Sequence, residues 1–378
     1  MPTPSPPLPA SLAKVLLIQV DHHLGNVVIS FPSIRALADH FDGQVDLLID
    51  QRYASLAEPL VDGRILPYAS QRDQNGRPVM SIRESLKLFK QLFAERYDAV
   101  IDLSGGIRAS GLTLSTGADH RVGRKEARRS WVYNQRLVPG PNEPAPARAD
   151  EPYRRMLQAI GQTQPPPAVT LTASETERTA VRRHLDDAFG PGSADDNRPL
   201  VLIHPSAGIR WRCWPADRFA KVADELVSQR QARVALLGHP ADRDLADEVI
   251  DAMRFSDDAT FVGGSLGELI AWFERGALLL SNESGPTHLA ALTQIPIATI
   301  FGPTSEAIWR PMRDQDLVVL RGADCLPGCH GRTCVHDRRC LLCLKPARVC
   351  EEADRLLEKS CRRHAAPMPQ RLPAEPSR

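Results

Sequence analysis

The chain has 378 residues, room for two domains of ordinary size and too many for one small module. Its composition is 42% hydrophobic and 25% charged with a mean hydropathy of −0.27, as expected of a soluble globular protein. No apolar run approaches the ~20 residues of a membrane-spanning helix, which excludes an integral helical membrane protein. Lys and Arg number 47 against 46 Asp and Glu, a net charge of +1 that speaks against binding nucleic acid through bulk charge. The opening MPTPSPPLPASLA (1–13) holds no charged side chain and lacks the n-region and apolar core of a secretory signal. The expectation is a cytoplasmic two-domain protein.

From residue 14 short apolar runs alternate with helix-length amphipathic stretches. KVLLIQV (14–20) reads as a buried strand, DHHLGN (21–26) as a loop and VVISFPSIRALADHF (27–41) as a helix. A strand QVDLLID (44–50), a long polar loop, a helix SIRESLKLFKQLFAERY (81–97) and a strand within DAVIDLSG follow. Residues 139–168, with PGPNEPAPA and QTQPPP, have the composition of a linker. After a helical stretch at 174–189 the alternation resumes with strand 201–204, helix 216–229 and strand 232–238. Helices 244–253 and 265–276, strand 277–281, helix 287–294 and strand 297–302 complete it. Continuous apolar strands separated by helices specify parallel sheets covered on both faces.

The fold class is therefore α/β, with two Rossmann-like doubly wound domains facing across a cleft. The expected division is a disordered tail at 1–13, domains at 14–165 and 166–345, and a terminal helix with a disordered tail at 346–378. Ligands of such sheets sit beyond the carboxyl ends of the strands, and every loop singled out below falls there.

The most informative loop is SNESGPTHLAALTQIPIATIFGPT (281–304). Gly285 permits close backbone approach and Pro286 suits a helix start, which predicts a diphosphate site at the free N–H groups of Ser284 to His288. Glu283 is placed to accept from ribose hydroxyls or, alternatively, to cap the helix; His288 is a phosphate donor or a packed residue. In HPSAGIRWRCWPADRF (204–219), Arg210 and Arg212 offer bidentate phosphate contacts, and Trp211 and Trp214 a stacking surface or a core anchor. GHPADRD (238–244) contributes Asp242 or Arg243. In the first half, Asp21, His22 and His23 are titratable groups at the cleft, any of which suits a general base. DLSGGIRASG (102–111) brings Arg108, and DHRVGRKEARRSWVYNQR (119–136) is a basic run that reads as an acceptor or lipid-headgroup surface or as a solvated face.

Cysteine usage is local: of eight, Cys325, Cys329, Cys334, Cys340 and Cys343 fall within nineteen residues. Four of these thiolates, Cys325, Cys329, Cys340 and Cys343, are the candidate ligands of a structural Zn or Fe, against the alternative of a reduced, packed loop.

Taken in order, LGN with FPSIRAL, IDLSGGIR, RVGR, HPSAG with RCWPADRFA, LLGHPADRD, NESGPTHLAA and IFGPT resemble glycosyltransferase family 9, the bacterial lipopolysaccharide heptosyltransferases, over residues 14–345. The resemblance implies a GT-B fold and inverting transfer from an ADP-sugar donor to a hydroxyl of the lipid A–core oligosaccharide. It further implies donor binding by the second half, acceptor binding by the first, no cofactor in catalysis and peripheral contact with the inner membrane. It puts Ser206, Arg212, Asp242, Glu283, Ser284, Gly285 and His288 at the donor, with Arg212 where the family often has Lys and Glu283 where it commonly has Asp. Arg108, Arg121 and Arg124 fall on the acceptor side.

One departure bears on mechanism. The family's first loop typically ends in Gly-Asp, whose Asp is the general base, whereas this chain has Gly25-Asn26. An amide takes no proton from a hydroxyl near neutral pH, and losing a general base costs about 10²–10⁴ in rate. Asp21 is the expected replacement. Two other readings stay open: a catalytically degenerate scaffold that binds sugar nucleotide, and a sugar-nucleotide epimerase of the same architecture.

Overall fold

The computed structural model describes residues 6–68, 71–72, 78–139, 148–324, 334 and 336–365. The first half contains β1 (Lys14–Gln19), α1 (Leu24–His40), β2 (Gln44–Asp50), β3 (Ile65–Tyr68) and α2 (Ile82–Ala94). It continues with β4 (Ala99–Asp102), α3 (Ile107–Ser115), β5 (His120–Arg124) and β6 (Gln135–Leu137). These six strands form one all-parallel sheet in the order β3-β2-β1-β4-β5-β6. After α4 (Glu175–Phe189), the second half runs β7 (Leu200–His204), α5 (Ala216–Arg230), β8 (Arg233–Leu237), α6 (Arg243–Asp251) and β9 (Ala259–Val262). Then come α7 (Leu266–Arg275), β10 (Leu278–Asn282), α8 (Gly285–Ala290), β11 (Ile297–Ile300) and β12 (Leu317–Leu320), closed by α9 (Pro346–Ala365). The second sheet is also all-parallel, in the order β9-β8-β7-β10-β11-β12. Both sheets thus have the doubly wound order, with switch points between β1 and β4 and between β7 and β10.

The apolar strands fit that position. Val15 to Ile18 and Val201 to Ile203 are wholly buried because helices cover both faces, so no polar alternation is left in them. Helix α1 is buried on nearly every side from Val27 to Leu37, since the first sheet lies under it and α8 of the second half lies over its start. A hydrophobic core running from the first sheet through α1 to α7 and α8 therefore joins the two halves.

Three expected boundaries shift. The stretch 6–13 is not a loose tail: Leu8 is buried, its amide donates to the Ala159 carbonyl over 2.7 Å, and its carbonyl meets His40 Nε2 at 3.1 Å. Within the linker-like segment, Glu151–Arg154 and Arg155–Ile160 form helical turns that bury Tyr153, Met156 and Leu157 beside α1. Arg155, itself buried, donates to Glu151 from Nε and Nη2 over 2.7 Å each and to Glu126 over 2.5 Å, which ties this turn to the β5–β6 connection. Helix α9 belongs to the second domain, where Val349, Ala353, Leu356 and Leu357 repeat at helical spacing against α5, β10 and β11. Strands β3, β5, β6, β9 and β12 have no counterpart in the sequence reading; β5 lies inside the basic run and β6 at its end.

Candidate active site

A cavity of about 410 Å³ opens between the halves at the carboxyl ends of both sheets, within the range of small-ligand pockets, about 300–1,000 Å³. His23 at the end of the β1–α1 loop and Leu24 and Gly25 at the start of α1 enter it, and all its other lining residues come from the second half. One wall is apolar, built from Leu237, Val262, Leu266, Leu269 and Trp272, and suits the flat face of a base. Polar groups converge opposite it: His204, Ser206, Asp242, Ser265 and Ser284.

These groups are fixed by one another. Ser206 Oγ donates to Asp242 Oδ1 over 2.9 Å, strapping the loop after β7 to the loop after β8. The second Asp242 oxygen accepts from the His239 amide at 3.1 Å. Asn282 at the end of β10 accepts from the Trp214 amide at 3.1 Å and donates to the Pro205 carbonyl at 2.5 Å, so it binds the β7 loop to its own. His204 is buried at the switch point on the cavity wall, and burial pushes its pKa down to about 4, so the imidazole is neutral near pH 7. Its Nδ1 lies 3.3 Å from Ser284 Oγ. His204 and Trp272 were missed in the sequence because one closes an apolar strand run and the other sits in an amphipathic helix.

Of the expected donor residues, Ser206, Asp242, Ser284 and Gly285 line the cavity and Arg212, Glu283 and His288 do not. Helix α8 begins at Gly285 and is six residues long, so the macrodipole of a full helix is not what this site offers. Glu283 Oε1 lies 3.9 Å from His288 Nε2, and His288 is buried under Gly25, whose Cβ would stand 3.3 Å from His288 Cδ2. The Arg212 guanidinium lies over the Trp211 ring, 5.5 Å from its centroid, while Arg210 pairs with Glu248. Arg243 pairs with Asp247 at 2.8 Å. Trp214 takes its core-anchor alternative: it is fully buried and donates from Nε1 to the Leu344 carbonyl at 3.2 Å.

On the first half, Asp21 lies two residues before His23, which lines the cavity, and its carboxylate has defined partners. Oδ1 accepts from the His23 amide and Oδ2 from Asn26 Nδ2, each over 2.9 Å. The loop is pinned from behind, where Arg52 Nη2 and Tyr53 Oη donate to the His22 carbonyl at 2.7 and 2.9 Å. The neighbouring turn 103–106 is held by Asp102, which accepts from Tyr133 Oη at 2.5 Å and from the Gly105 amide at 2.9 Å. Burial raises Asp102 to about 6, against the lowering effect of the Tyr133 hydrogen bond.

The three expected acceptor arginines separate. Arg124 Nη2 donates to the Ser104 carbonyl at 2.6 Å and fills the space beside Gly105, which makes it a support of that turn. Arg121 lies near the amino end of β5, away from the cleft, and donates to the Val132 and Ala118 carbonyls at 2.9 and 2.6 Å. Arg108 is exposed at the start of α3, beside Arg129. Of the expected metal ligands, Cys325 and Cys329 lie outside the described residues. Cys340 is buried and Cys343 exposed around the short Arg339–Leu342 helix, and among the described residues no cluster of three metal-ligating side chains occurs.

Two facing Rossmann-like domains with a ligand cavity between them make this a GT-B-fold protein. The family model of glycosyltransferase family 9 (heptosyltransferase) matches residues 85–338, and the chain belongs to that family. It is 26% identical over 299 residues to lipopolysaccharide heptosyltransferase 3 of Escherichia coli K12, covering 77% of this chain and 83% of that one. Among solved structures it is similar to the glycosyl transferase family 9 protein of Veillonella parvula DSM 2008, with a TM-score of 0.75 at 20% identity, covering 93% of this chain and 99% of the other. It is also similar to E. coli ADP-heptose lps heptosyltransferase II, with a TM-score of 0.73 at 21% identity, covering 92% and 99%.

Proposed function

We propose that this protein transfers a heptose from ADP-heptose to a hydroxyl of a lipid A–core oligosaccharide, with Asp21 as general base. The observation that carries the reading is the Asp21–Asn26 contact in the segment that brings His23 to a two-domain cavity with an apolar wall. The adenine packs on the side of Leu266, Leu269 and Trp272, and the ribose and diphosphate meet Ser206, Asp242, Ser265 and Ser284. The names of its relatives supply the sugar, the nucleotide and the acceptor class.

In this reading the acceptor oxygen attacks the anomeric carbon from the face opposite the diphosphate while its proton passes to Asp21. The new C–O bond forms as the bond to phosphate breaks, and ADP leaves with the electron pair, inverting the centre. Asn26 cannot take the proton, but its amide donates to one Asp21 oxygen and holds that carboxylate in place. Residue 26 is thus a positioning residue for the base.

The test is transfer measured with ADP-heptose and a heptose-deficient lipopolysaccharide acceptor. Turnover that falls in Asp21→Asn while ADP affinity holds supports the reading. ADP-heptose binding without transfer at any enzyme concentration overturns it in favour of the scaffold.

A further inference from the structure

Helix α2 carries two apolar stripes, and the fold covers one. At about 100° per residue, Leu88 and Leu92 turn toward the sheet, where Leu92 is fully buried and Leu88 packs on the same cluster. Ile82, Leu86, Phe89 and Phe93 follow at spacings of four, three and four, a second stripe roughly a quarter-turn away. All four are exposed, Ile82 by 81% and Phe93 by 66%. Beyond them Arg83, Lys87 and Lys90 form a third, basic stripe, also exposed. The surface continues past α2: Phe89 shares a shallow pocket with Ile107, Arg108 and Arg129, and Trp131 on the adjoining turn is 65% exposed.

The stripe begins at the catalytic edge. Helix α2 runs back against the strands, so its last turn, followed by the Glu95–Lys14 pair, sits at the amino edge of the first sheet. Its first turn, with Ile82, therefore sits at the carboxyl edge that carries Asp21.

We propose that this face docks the protein on an anionic lipid bilayer. The outer stripe enters the headgroup–acyl boundary, and Arg83, Lys87 and Lys90 meet headgroup phosphates. An apolar stripe one residue wide, bordered along its length by cations, is the pattern of a helix lying in a membrane interface. A stable protein interface instead has an apolar centre from which charges are depleted. The proposal rests on the reading of a lipid-borne acceptor, because docking here holds the Asp21 edge beside the surface that presents it; its test needs no acceptor.

The test is co-sedimentation of the full chain with vesicles of phosphatidylcholine alone or with added phosphatidylglycerol. Binding is expected only with phosphatidylglycerol, weakening as salt rises. Leu86→Ser with Phe93→Ser should abolish it. Lys87→Gln with Lys90→Gln should weaken it about 25-fold, at about five-fold per basic residue. Unchanged ADP affinity shows that each variant is folded, and if the serine pair does not fold, the glutamine pair carries the test. No sedimentation of the wild-type chain with phosphatidylglycerol vesicles, or binding untouched by the variants, overturns the proposal. A dimer that the serine pair splits, with no vesicle binding, also overturns it and assigns the face to a second copy. Vesicle binding without heptose transfer would instead strike only the functional reading.

Discussion

Gly25 at the start of α1 and Gly285 at the start of α8 meet across the cleft, where a side chain on Gly285 would crowd the facing backbone. A Cβ on Gly285 would stand 3.0 Å from Leu24 Cβ and 3.3 Å from the Gly25 nitrogen, and a Cβ on Gly25 would stand 3.8 Å from Gly285 Cα. This is where the loop bearing Asp21 is set against the loop bearing Ser284. Gly285→Ala forces the two helix starts apart by a few tenths of an ångström. Since misplacing reacting groups by about 1 Å can cost ~10² in rate, a loss of about ten-fold in kcat is expected. Steady-state kinetics check it; unchanged kcat would mean that the halves are not registered at these glycines.

The Asp21–Asn26 contact predicts opposite consequences for the two residues. Asp21→Asn should lower kcat by about 10²–10⁴. Asn26→Asp puts two carboxylates at hydrogen-bonding distance, which raises the pKa of one of them, so the acid limb of the pH–rate profile moves to higher pH. A faster Asn26→Asp enzyme, with Asp21→Asn indifferent, would return the base to position 26.

His204 and Asp102 predict a pH dependence of stability. Burial lowers His204 from 6.5 to about 4, so the stability it gives while neutral is complete above pH 6.5 and lost as pH falls toward 4. Asp102 is raised from 3.8 to about 6, so its contribution is present below pH 3.8 and lost as pH rises through 6. The two trends oppose each other. His204→Gln removes the first, and the change in unfolding free energy from pH 7 to pH 5 should become more favourable than in the wild type by about 2 kcal/mol. Urea denaturation at both pH values decides; identical changes in the two proteins would show that His204 titrates normally.

Arg155 predicts a stability effect remote from the cavity. Glu151→Ala strips a buried guanidinium of its bidentate partner, with Glu126 still paired to it. The expected loss is about 3 kcal/mol, read from the urea midpoint. A shift below about 1 kcal/mol would mean that solvent replaces the glutamate.

Much of the architecture was legible because a strand buried on both faces is spelled as a continuous apolar run, as at Leu200 to Ile203. Strands β5 and β6 were hidden because His120, Arg121, Arg124 and Arg136 give short strands the appearance of a charged loop. The turns at 151–160 were hidden by their Pro-rich surroundings, although Met156 and Leu157 are as buried as any core residue. At the site, Ser206, Asp242, Ser284 and Gly285 were legible as strand-end loop residues. Arg121 was not, because a basic run does not say which end of a strand each arginine occupies.

The sequence by itself determined the two doubly wound domains and the carboxyl-edge loops, since periodicity and residue chemistry are local properties, and the resemblance to the family added that Asn26 stands where an acid is usual. Only the tertiary structure decided that Asn26 donates to Asp21, that His204 is buried at a switch point and that Glu283 turns toward His288 and away from the cavity. Those outcomes depend on which segments the two sheets bring together and on the closeness that Gly25 and Gly285 allow, and neither is written in the spacing of the residues themselves.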